Sequence, residues 1–167
     1  TGLMIIVTGK ECRNAQQYSK LDKVYEATVR LGHTSTTGDP EGELSDVSAR
    51  EPSVEEVQRA LKGFVGEITQ RPPQFSAIKI GGRRAYDLAR KGEVVEMPER
   101  QVTVFSLELL EYAYPDVHIR VHVSSGTYIR TLAEDIGKVL ETGAYCSALR
   151  RTKVAEYSIE DAWAIES

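Results

Sequence analysis

A basic stretch carries much of the chemistry that this sequence offers. Between Arg71 and Gly92, six lysine and arginine residues accompany a single acid, Asp87, and the aromatic residues Phe75 and Tyr86 lie among them. Cationic side chains neutralise phosphates, and aromatic rings stack on unpaired bases, so this composition favours a nucleic-acid contact. On composition alone, a solvated charged hairpin explains the stretch as well.

Arg130 lies where a cation is costly unless another group offsets it. The sequence Ser124-Ser-Gly-Thr127 predicts a turn and a helix N-cap, which puts Tyr128 and Arg130 in the first turn of the helix. A cation there opposes the helix dipole, so we expect a local carboxylate or a substrate phosphate beside it. A second candidate phosphate contact is Gly81-Gly82-Arg83-Arg84, which an ordinary basic turn explains equally well.

Metal chemistry has little support in the sequence. His33 stands alone in a predicted loop, and His118 and His122 are four residues apart on a predicted strand. That spacing separates the two side chains by ~13 Å, which excludes a shared ligand set within the strand. The acidic segment Gly38–Gly42 lacks the alternating oxygen ligands of an EF-hand, so we predict a solvated turn there and no metal site.

The composition excludes several classes of protein. The chain has 167 residues, a formal net charge of −4, and two cysteines, Cys12 and Cys146, that match no C-x-x-C spacing. This cysteine usage favours a reducing cytoplasm over a disulfide framework. The longest apolar run, Leu3–Val7, is far too short for a membrane span. The charge is segregated, with a balance of −5 over 32–67 and +5 over 71–92, so we expect any nucleic acid to bind a local patch.

Apolar periodicity predicts the elements that position these residues. Ser53 and Glu56 form a capping-box pattern at the start of one helix, and the apolar stripe from Ile129 to Leu140 predicts another. A short helix around Ala15 and Tyr18 is also predicted. Alternation or apolar runs predict strands over these segments: Leu3–Val7, Val24–Leu31, Val102–Leu110, Val117–Val123 and Leu149–Tyr157.

Four groups of motifs follow one another along nearly the whole chain. They are Asp22-Lys-Val-Tyr25-Glu-Ala-Thr-Val-Arg-Leu-Gly32, Arg71-Pro-Pro-Gln-Phe-Ser-Ala-Ile-Lys79 with Gly82-Arg-Arg-Ala-Tyr86, Ser124-Ser-Gly-Thr-Tyr-Ile-Arg-Thr-Leu132, and Leu149-Arg-Arg151. Together they resemble the TruB family of pseudouridine synthases. The resemblance implies an α/β (α+β) fold, a mixed, mostly antiparallel central sheet flanked by helices. It implies one domain over 1–167, in which 71–92 is a basic insertion.

The resemblance also implies an activity and a role for individual residues. The activity is the isomerisation of the T-loop uridine of tRNA to pseudouridine, with no metal or cofactor. Tyr25 matches the active-site tyrosine that stacks on the flipped base, and Arg130 matches the arginine that pairs with the catalytic aspartate. Tyr128 and Leu149 match residues that line the uracil pocket. The insertion grips the tRNA stem-loop, and its predicted RNA contacts are Arg71, Lys79, Arg83, Arg84, Tyr86, Arg90 and Lys91.

The sequence departs from the family pattern at its first residues. Thr1-Gly2 resembles the end of the family motif Gly-x-Leu-Asp-Pro-x-Ala-Thr-Gly, so we expect the nucleophilic aspartate to precede residue 1. Asp22, Asp39 and Asp135 fall in other segments. We therefore expect an enzyme as the parent protein and no activity from this chain by itself. The first strand of the family domain and the additional C-terminal domain of many members are likewise expected outside it.

Two other interpretations stay open. The first is a non-catalytic tRNA-binding domain or RNA chaperone of the same fold, and the second is a structural module of a larger ribonucleoprotein. An aspartate followed by proline just before Thr1 distinguishes the enzyme from the binding domain. For the leading interpretation we expect a cytoplasmic monomer that binds the T-arm stem-loop of tRNA and no membrane.

Overall fold

The computed structural model describes residues 1–73, 76, 79–80, 83–85 and 97–164. Only the backbone is described for residues 79–80 and 83–84. The predicted RNA contacts Tyr86, Arg90 and Lys91 lie outside the described residues.

A six-stranded antiparallel sheet organises the described part of the chain. The strands are β1 (Lys23–Leu31), β2 (His33–Ser35), β3 (Leu44–Asp46), β4 (Gly66–Gln70), β5 (Lys79–Ile80), β6 (Arg83–Arg84), β7 (Arg100–Ala113), β8 (Asp116–Val123), β9 (Ala144–Val154) and β10 (Tyr157–Ser158). The strand order of the sheet is β10-β9-β1-β8-β7-β4, and two small antiparallel ladders, β2–β3 and β5–β6, are separate from it. The predicted fold class, α+β with a mostly antiparallel sheet, is confirmed.

Strand β1 lies near the middle of the sheet and shows the predicted alternation. Ala27, Val29 and Leu31 are buried on one face. On the other face Thr28 Oγ1 lies 3.1 Å from His118 Nδ1, and Arg30 pairs with Asp116 at 2.9 Å. Alternate side chains of a strand point to opposite faces, so one face of the sheet is apolar and the other polar.

Helices cover the apolar face. The α-helices are α1 (Ala15–Lys20), α2 (Val54–Lys62) and α3 (Ile129–Val139), and short 3-10 helices span Gly9–Asn14 and Ile159–Asp161. The predicted capping box is present, because Ser53 and Glu56 exchange hydrogen bonds between side chain and backbone. Helices α2 and α3 bury their apolar stripes in one cluster with the sheet. None of the helices described is long and apolar enough to cross a membrane.

Three local predictions differ from the structure. The strand predicted over Leu149–Tyr157 is observed as β9, which begins five residues earlier at Ala144, and the short β10. Leu3–Val7 is not a strand: Leu3 is buried and bonds to Arg151 O, but the rest of the run forms no ladder with a described strand. Helix α3 has Tyr128 as its N-cap rather than Thr127. The Thr127 hydroxyl instead donates to Ser124 O (2.8 Å), which closes the preceding turn.

Candidate active site

Arg130, near the start of α3, pairs with a carboxylate of the β2–β3 hairpin. Its Nη1 donates to Asp39 Oδ2 (2.7 Å) and to Thr37 O (3.2 Å). The side chains of Arg130 and Asp39 are only 24% and 22% exposed. The prediction of a merely solvated turn over Gly38–Gly42 is therefore wrong, because this turn supplies the local carboxylate that offsets the cation.

Asp39 is held ionised by its surroundings. Burial by itself raises the pKa of this carboxyl, but hydrogen bonds from the Thr37 hydroxyl and the Glu41 N–H, together with the charge of Arg130, outweigh that effect. The pKa of Asp39 consequently lies below its ordinary value. The pair Arg130–Asp39 is therefore a true ion pair at neutral pH.

Gly38 allows the hairpin to approach α3 closely. Its φ is +74°, and a Cβ there would lie 2.6 Å from Glu134 Oε1 and 3.2 Å from Arg130 Cβ. A side chain at this position would be strained at this φ, would displace the Glu134 carboxylate and would press on Arg130 Cβ. Gly38 O also accepts a hydrogen bond from Cys146 N (3.0 Å), which ties the turn to β9.

Cys146 packs beside this ion pair as a buried thiol. Burial raises its pKa to about 11, and the thiol donates to Ala148 O (3.4 Å). A thiol with such a pKa is almost entirely protonated at neutral pH and is a weak nucleophile. The structure therefore indicates that Cys146 is a packing residue.

Tyr128 precedes α3 in an extended conformation and is held by Gln70. The Gln70 side chain donates through Nε2 to Tyr128 O (3.3 Å) and accepts through Oε1 from Tyr128 N (3.0 Å). Gln70 is only 1% exposed. Sequence analysis missed this residue, because a single glutamine after alternating residues has no pattern that marks it as buried.

Tyr25 and Leu149 share the helix-covered face of the sheet. In the register of β1 and β9, Tyr25 pairs with Arg151 and Ala27 pairs with Leu149, so Tyr25 and Leu149 are diagonal neighbours. Both are partly buried against the core. Cys146, which contacts the Asp39 turn, lies three residues before Leu149, or about 10 Å along the strand. Strand β9 thus connects the Tyr25–Leu149 surface to the turn that holds Arg130.

The basic segment is described at its base and over two short strands. Arg71 and Glu99 form an exposed ion pair (3.0 Å) where the segment leaves and rejoins the sheet. Strands β5 and β6 pair antiparallel, Lys79 opposite Arg84. This backbone arrangement is a hairpin, which is compatible with an RNA contact and with a solvated turn.

The histidines make pairwise contacts rather than a metal site. His118 lies against Thr28, and His122 contacts Asp22 and packs against Phe105 in a tilted arrangement with ring centroids 4.7 Å apart. Among the residues that the structure describes, no three histidine, cysteine, aspartate or glutamate side chains come together as a possible metal site.

Comparison with protein families now gives the class of the molecule. Residues 1–129 match the family model described as TruB family pseudouridylate synthase (N terminal domain). Residues 130–167 match the model described as tRNA pseudouridylate synthase B C-terminal domain. These matches define a pseudouridine synthase, which is an isomerase. Within that class, the chain belongs to the TruB family.

Curated relatives agree with the family match. The tRNA pseudouridine synthase B of Phocaeicola vulgatus is 45% identical over 168 residues, which cover 100% of this chain and 72% of the relative. The protein of the same name from Cupriavidus taiwanensis is 47% identical over 165 residues, or 97% of this chain and 52% of that protein. The chain thus spans between half and three quarters of these relatives.

Solved structures share the fold. A chain of a Cbf5-Nop10-Gar1 complex superimposes with a TM-score of 0.62 at 29% identity, covering 87% of this chain and 34% of that one. A chain of an H/ACA RNP bound to a substrate RNA containing 2'-deoxyuridine gives a TM-score of 0.59 at 27% identity, covering 87% of this chain and 32% of that one. The chain corresponds to about a third of each solved chain.

Proposed function

We propose that this protein isomerises the T-loop uridine of tRNA to pseudouridine in the cytoplasm, as a monomer. The observation that carries the proposal is the partly buried Arg130–Asp39 pair at the start of α3, directly after Tyr128. The match to relatives named tRNA pseudouridine synthase B supports the choice of tRNA. Two free cysteines fit a reducing compartment.

The reaction requires the uridine to leave its stack. Unstacking costs a few kcal/mol, which contacts in the pocket must offset. In the proposed complex, the ring of Tyr25 stacks on the flipped base, and Tyr128 and Leu149 line the uracil pocket. The partial exposure of all three side chains supports this assignment, because each has packed support on one side and accessible surface on the other.

The chemical step exchanges a carbon–nitrogen for a carbon–carbon glycosidic bond. By the family resemblance, an aspartate that precedes Thr1 attacks C1′ of the nucleoside and displaces the uracil at N1, and the freed uracil turns in the pocket. C5 then bonds to C1′ as the aspartate leaves, and C5 loses its proton while N1 gains one. Arg130 holds the aspartate ionised and orients it. Asp39 holds the guanidinium in place and balances its charge before substrate binds. The hydroxyl of Thr1 donates to Leu149 O (3.3 Å), which leads the chain toward the proposed pocket.

In this proposal, the basic insertion binds the RNA. Arg71, Lys79, Arg83 and Arg84 lie at its base and on its two short strands, together with Tyr86, Arg90 and Lys91 in sequence. A hairpin that projects cations can follow the phosphates of a stem-loop while the base enters the pocket.

Tritium release from uridine labelled at C5 tests the proposed reaction. The complete protein encoded by the reading frame of this chain is incubated with a T-arm stem-loop, and we expect one tritium released per uridine converted. R130A should lower the rate constant at least about 100-fold, the usual cost of removing a preorganised charged donor. R59A removes an equal charge from an exposed position of α2 and should retain the wild-type rate.

Two results would overturn the proposal: no release by the complete protein, or an unchanged rate for R130A. Binding of the stem-loop without tritium release would instead support the non-catalytic RNA-binding domain.

A further inference from the structure

Gln70 is a buried polar residue that the reaction described above does not use. It ends β4 at 1% exposure, and its side-chain amide forms both of its described hydrogen bonds with the backbone of Tyr128. One bond is donated to Tyr128 O and the other is accepted from Tyr128 N. This exchange of two bonds is the pattern of an antiparallel strand pair, formed here by a side chain.

The position that Gln70 holds sets where α3 begins. Tyr128 is the N-cap of the helix, with φ −103° and ψ 111°, and its own side chain makes no capping bond. Its carbonyl also accepts from Leu132 N (3.1 Å), the first hydrogen bond of the helix. Fixing the backbone of Tyr128 therefore fixes the direction in which the side chains of Tyr128 and Arg130 leave the backbone.

A second contact joins the same two elements. The hydroxyl of Thr131 donates to Arg71 O (3.4 Å), one residue beyond Gln70. The end of β4 is thus bonded to two residues at the start of α3, and these flank Arg130 in sequence. The Asp39 turn holds the guanidinium end of Arg130, whereas Gln70 acts on the backbone from which Arg130 extends.

We propose that Gln70 is a positioning residue for the pseudouridine synthase reaction: its amide holds the Tyr128 backbone so that Tyr128 lines the uracil pocket and Arg130 reaches the nucleophilic aspartate. This inference rests on the proposed function. It explains why a glutamine is fully buried at the end of a strand, where an apolar residue would pack without needing partners.

The chemistry of the two bonds requires an amide. Glutamate would still accept from Tyr128 N, but its second oxygen would face Tyr128 O without a hydrogen to share. Leucine would fill a similar volume, leave Tyr128 N without its partner and leave Tyr128 O with only the bond from Leu132 N. Q70E therefore removes one of the bonds, and Q70L removes both.

The test measures the single-turnover rate constant for tritium release with saturating T-arm stem-loop. Q70L and Q70E are compared with the wild type in the complete protein, well below the melting temperature of each variant. We expect the rate constant to fall about 10- to 100-fold in Q70L, the effect of a reacting group displaced by about 1 Å, and by a smaller factor in Q70E. The Kd of the stem-loop should stay within about twofold of wild type, because neither bond of Gln70 involves RNA.

T142V is the matched control. Thr142 is also a fully buried polar residue, and its hydroxyl donates to Gly137 O (3.4 Å) at the other end of α3. This variant should lower the melting temperature and leave the rate constant unchanged. A purely structural role for Gln70 predicts the same result for Q70L: a lower melting temperature and a smaller active fraction, at the wild-type rate constant.

Each outcome decides the proposal. A reduced rate constant in Q70L, with T142V unaffected, supports it; if Q70L does not fold, the rate constant of Q70E decides in its place. A wild-type rate constant in the folded variants overturns the role of Gln70 alone. A wild-type protein that releases no tritium overturns the proposed function, and the role of Gln70 with it.

Discussion

Arg130 and Asp39 contribute a partly buried ion pair between groups that lie 91 residues apart in the chain. The hairpin keeps Asp39 ionised with two further hydrogen bonds, from the Thr37 hydroxyl and the Glu41 N–H. The cost of placing a cation at a helix start is therefore met within the protein, before any substrate arrives.

Lowering the pH should weaken this ion pair and so lower the free energy of unfolding. The pKa of Asp39 is lower in the folded than in the unfolded chain, so its contribution is complete above about pH 4 and is lost as the pH falls through the folded-state pKa. D39N should lower the free energy of unfolding by about 1–2 kcal/mol at pH 7. Between pH 5 and pH 3, the free energy of unfolding should fall less in D39N than in the wild type. Urea unfolding at several pH values measures both effects.

E43Q is the control for this prediction, because Glu43 lies on the same hairpin, is exposed, and has no described ion pair through its side chain. It should follow the wild-type profile closely. Parallel pH profiles for D39N and wild type would show that Asp39 contributes no such pH-dependent stability.

At the scale of single residues, the sequence predicted that Arg130 requires an anion but not which residue supplies it. The turn signal before α3 showed that Arg130 requires an anion, yet the composition of Gly38–Gly42 indicated only a solvated loop. Long-range pairs leave no local pattern, so Asp39 and Gln70 became visible only when the fold brought them to α3. The roles of Tyr25, Tyr128 and Leu149 came from family motifs and remain predictions.

Helix α3 and strand β9 approach each other closely at Gly137. A Cβ built on Gly137 would lie 2.4 Å from Ala144 N and 2.6 Å from Ala144 Cβ. Gly137 therefore allows the helix that carries Arg130 to rest directly on the strand that carries Cys146 and Leu149. Glycine in a helix interior is normally unfavourable, and here the close packing offsets that cost.

Alanine normally stabilises a helix relative to glycine, but at position 137 we expect it to destabilise the protein. G137A should lower the free energy of unfolding by at least about 2 kcal/mol, because the backbone of β9 cannot move away without disturbing the sheet. G63A is the control: a Cβ there meets only Ala60 O at 3.3 Å, and Gly63 already has helical angles, so stability should change by less than about 1 kcal/mol. Thermal or urea unfolding of both variants provides the comparison. A stable G137A would contradict this close packing of α3 on β9.

Elements with a continuous buried face were predicted from their periodicity alone. Strand β1, strand β8 and helix α2 follow their apolar patterns, because each buries one face against the core. Leu3–Val7 has the composition of a strand but exposes Met4 and Ile6, so hydrophobicity without a partner surface gave the wrong element. The N-cap of α3 was missed by one residue, because Thr127 closes the preceding turn instead.

The molecule as a whole separates its charges. The segment 32–67 is acidic and 71–92 is basic, so the net charge of −4 conceals a cationic segment. An anionic body repels RNA except at that segment, which orients the approach of a polyanion. The proposed RNA contact therefore depends on the distribution of charge along the chain rather than on the net charge.

Salt dependence of binding tests the place of the RNA contact. The double variant R83A/R84A in the complete protein should weaken binding of the T-arm stem-loop. It should also reduce the slope of log K against log salt by about one for each phosphate that the variant no longer neutralises. R59A, which removes a charge from α2, should leave the slope unchanged. Equal slopes for R83A/R84A and wild type would place the RNA surface elsewhere.

The two edges of the central sheet have a consequence for self-association. An exposed edge strand offers unpaired N–H and C=O groups to a strand of another molecule. Here β4 has only five residues and is soon followed by Pro72, which has no N–H to donate. The opposite edge, β9, is covered by β10 and by residues 1–3, where Leu3 N donates to Arg151 O (2.7 Å). Strand β7, however, continues past β4: in the described part of the chain, residues Phe105–Ala113 pair with β8 on one side and with no strand on the other. We therefore expect any intermolecular β-pairing at this stretch of β7 rather than at β4 or β9.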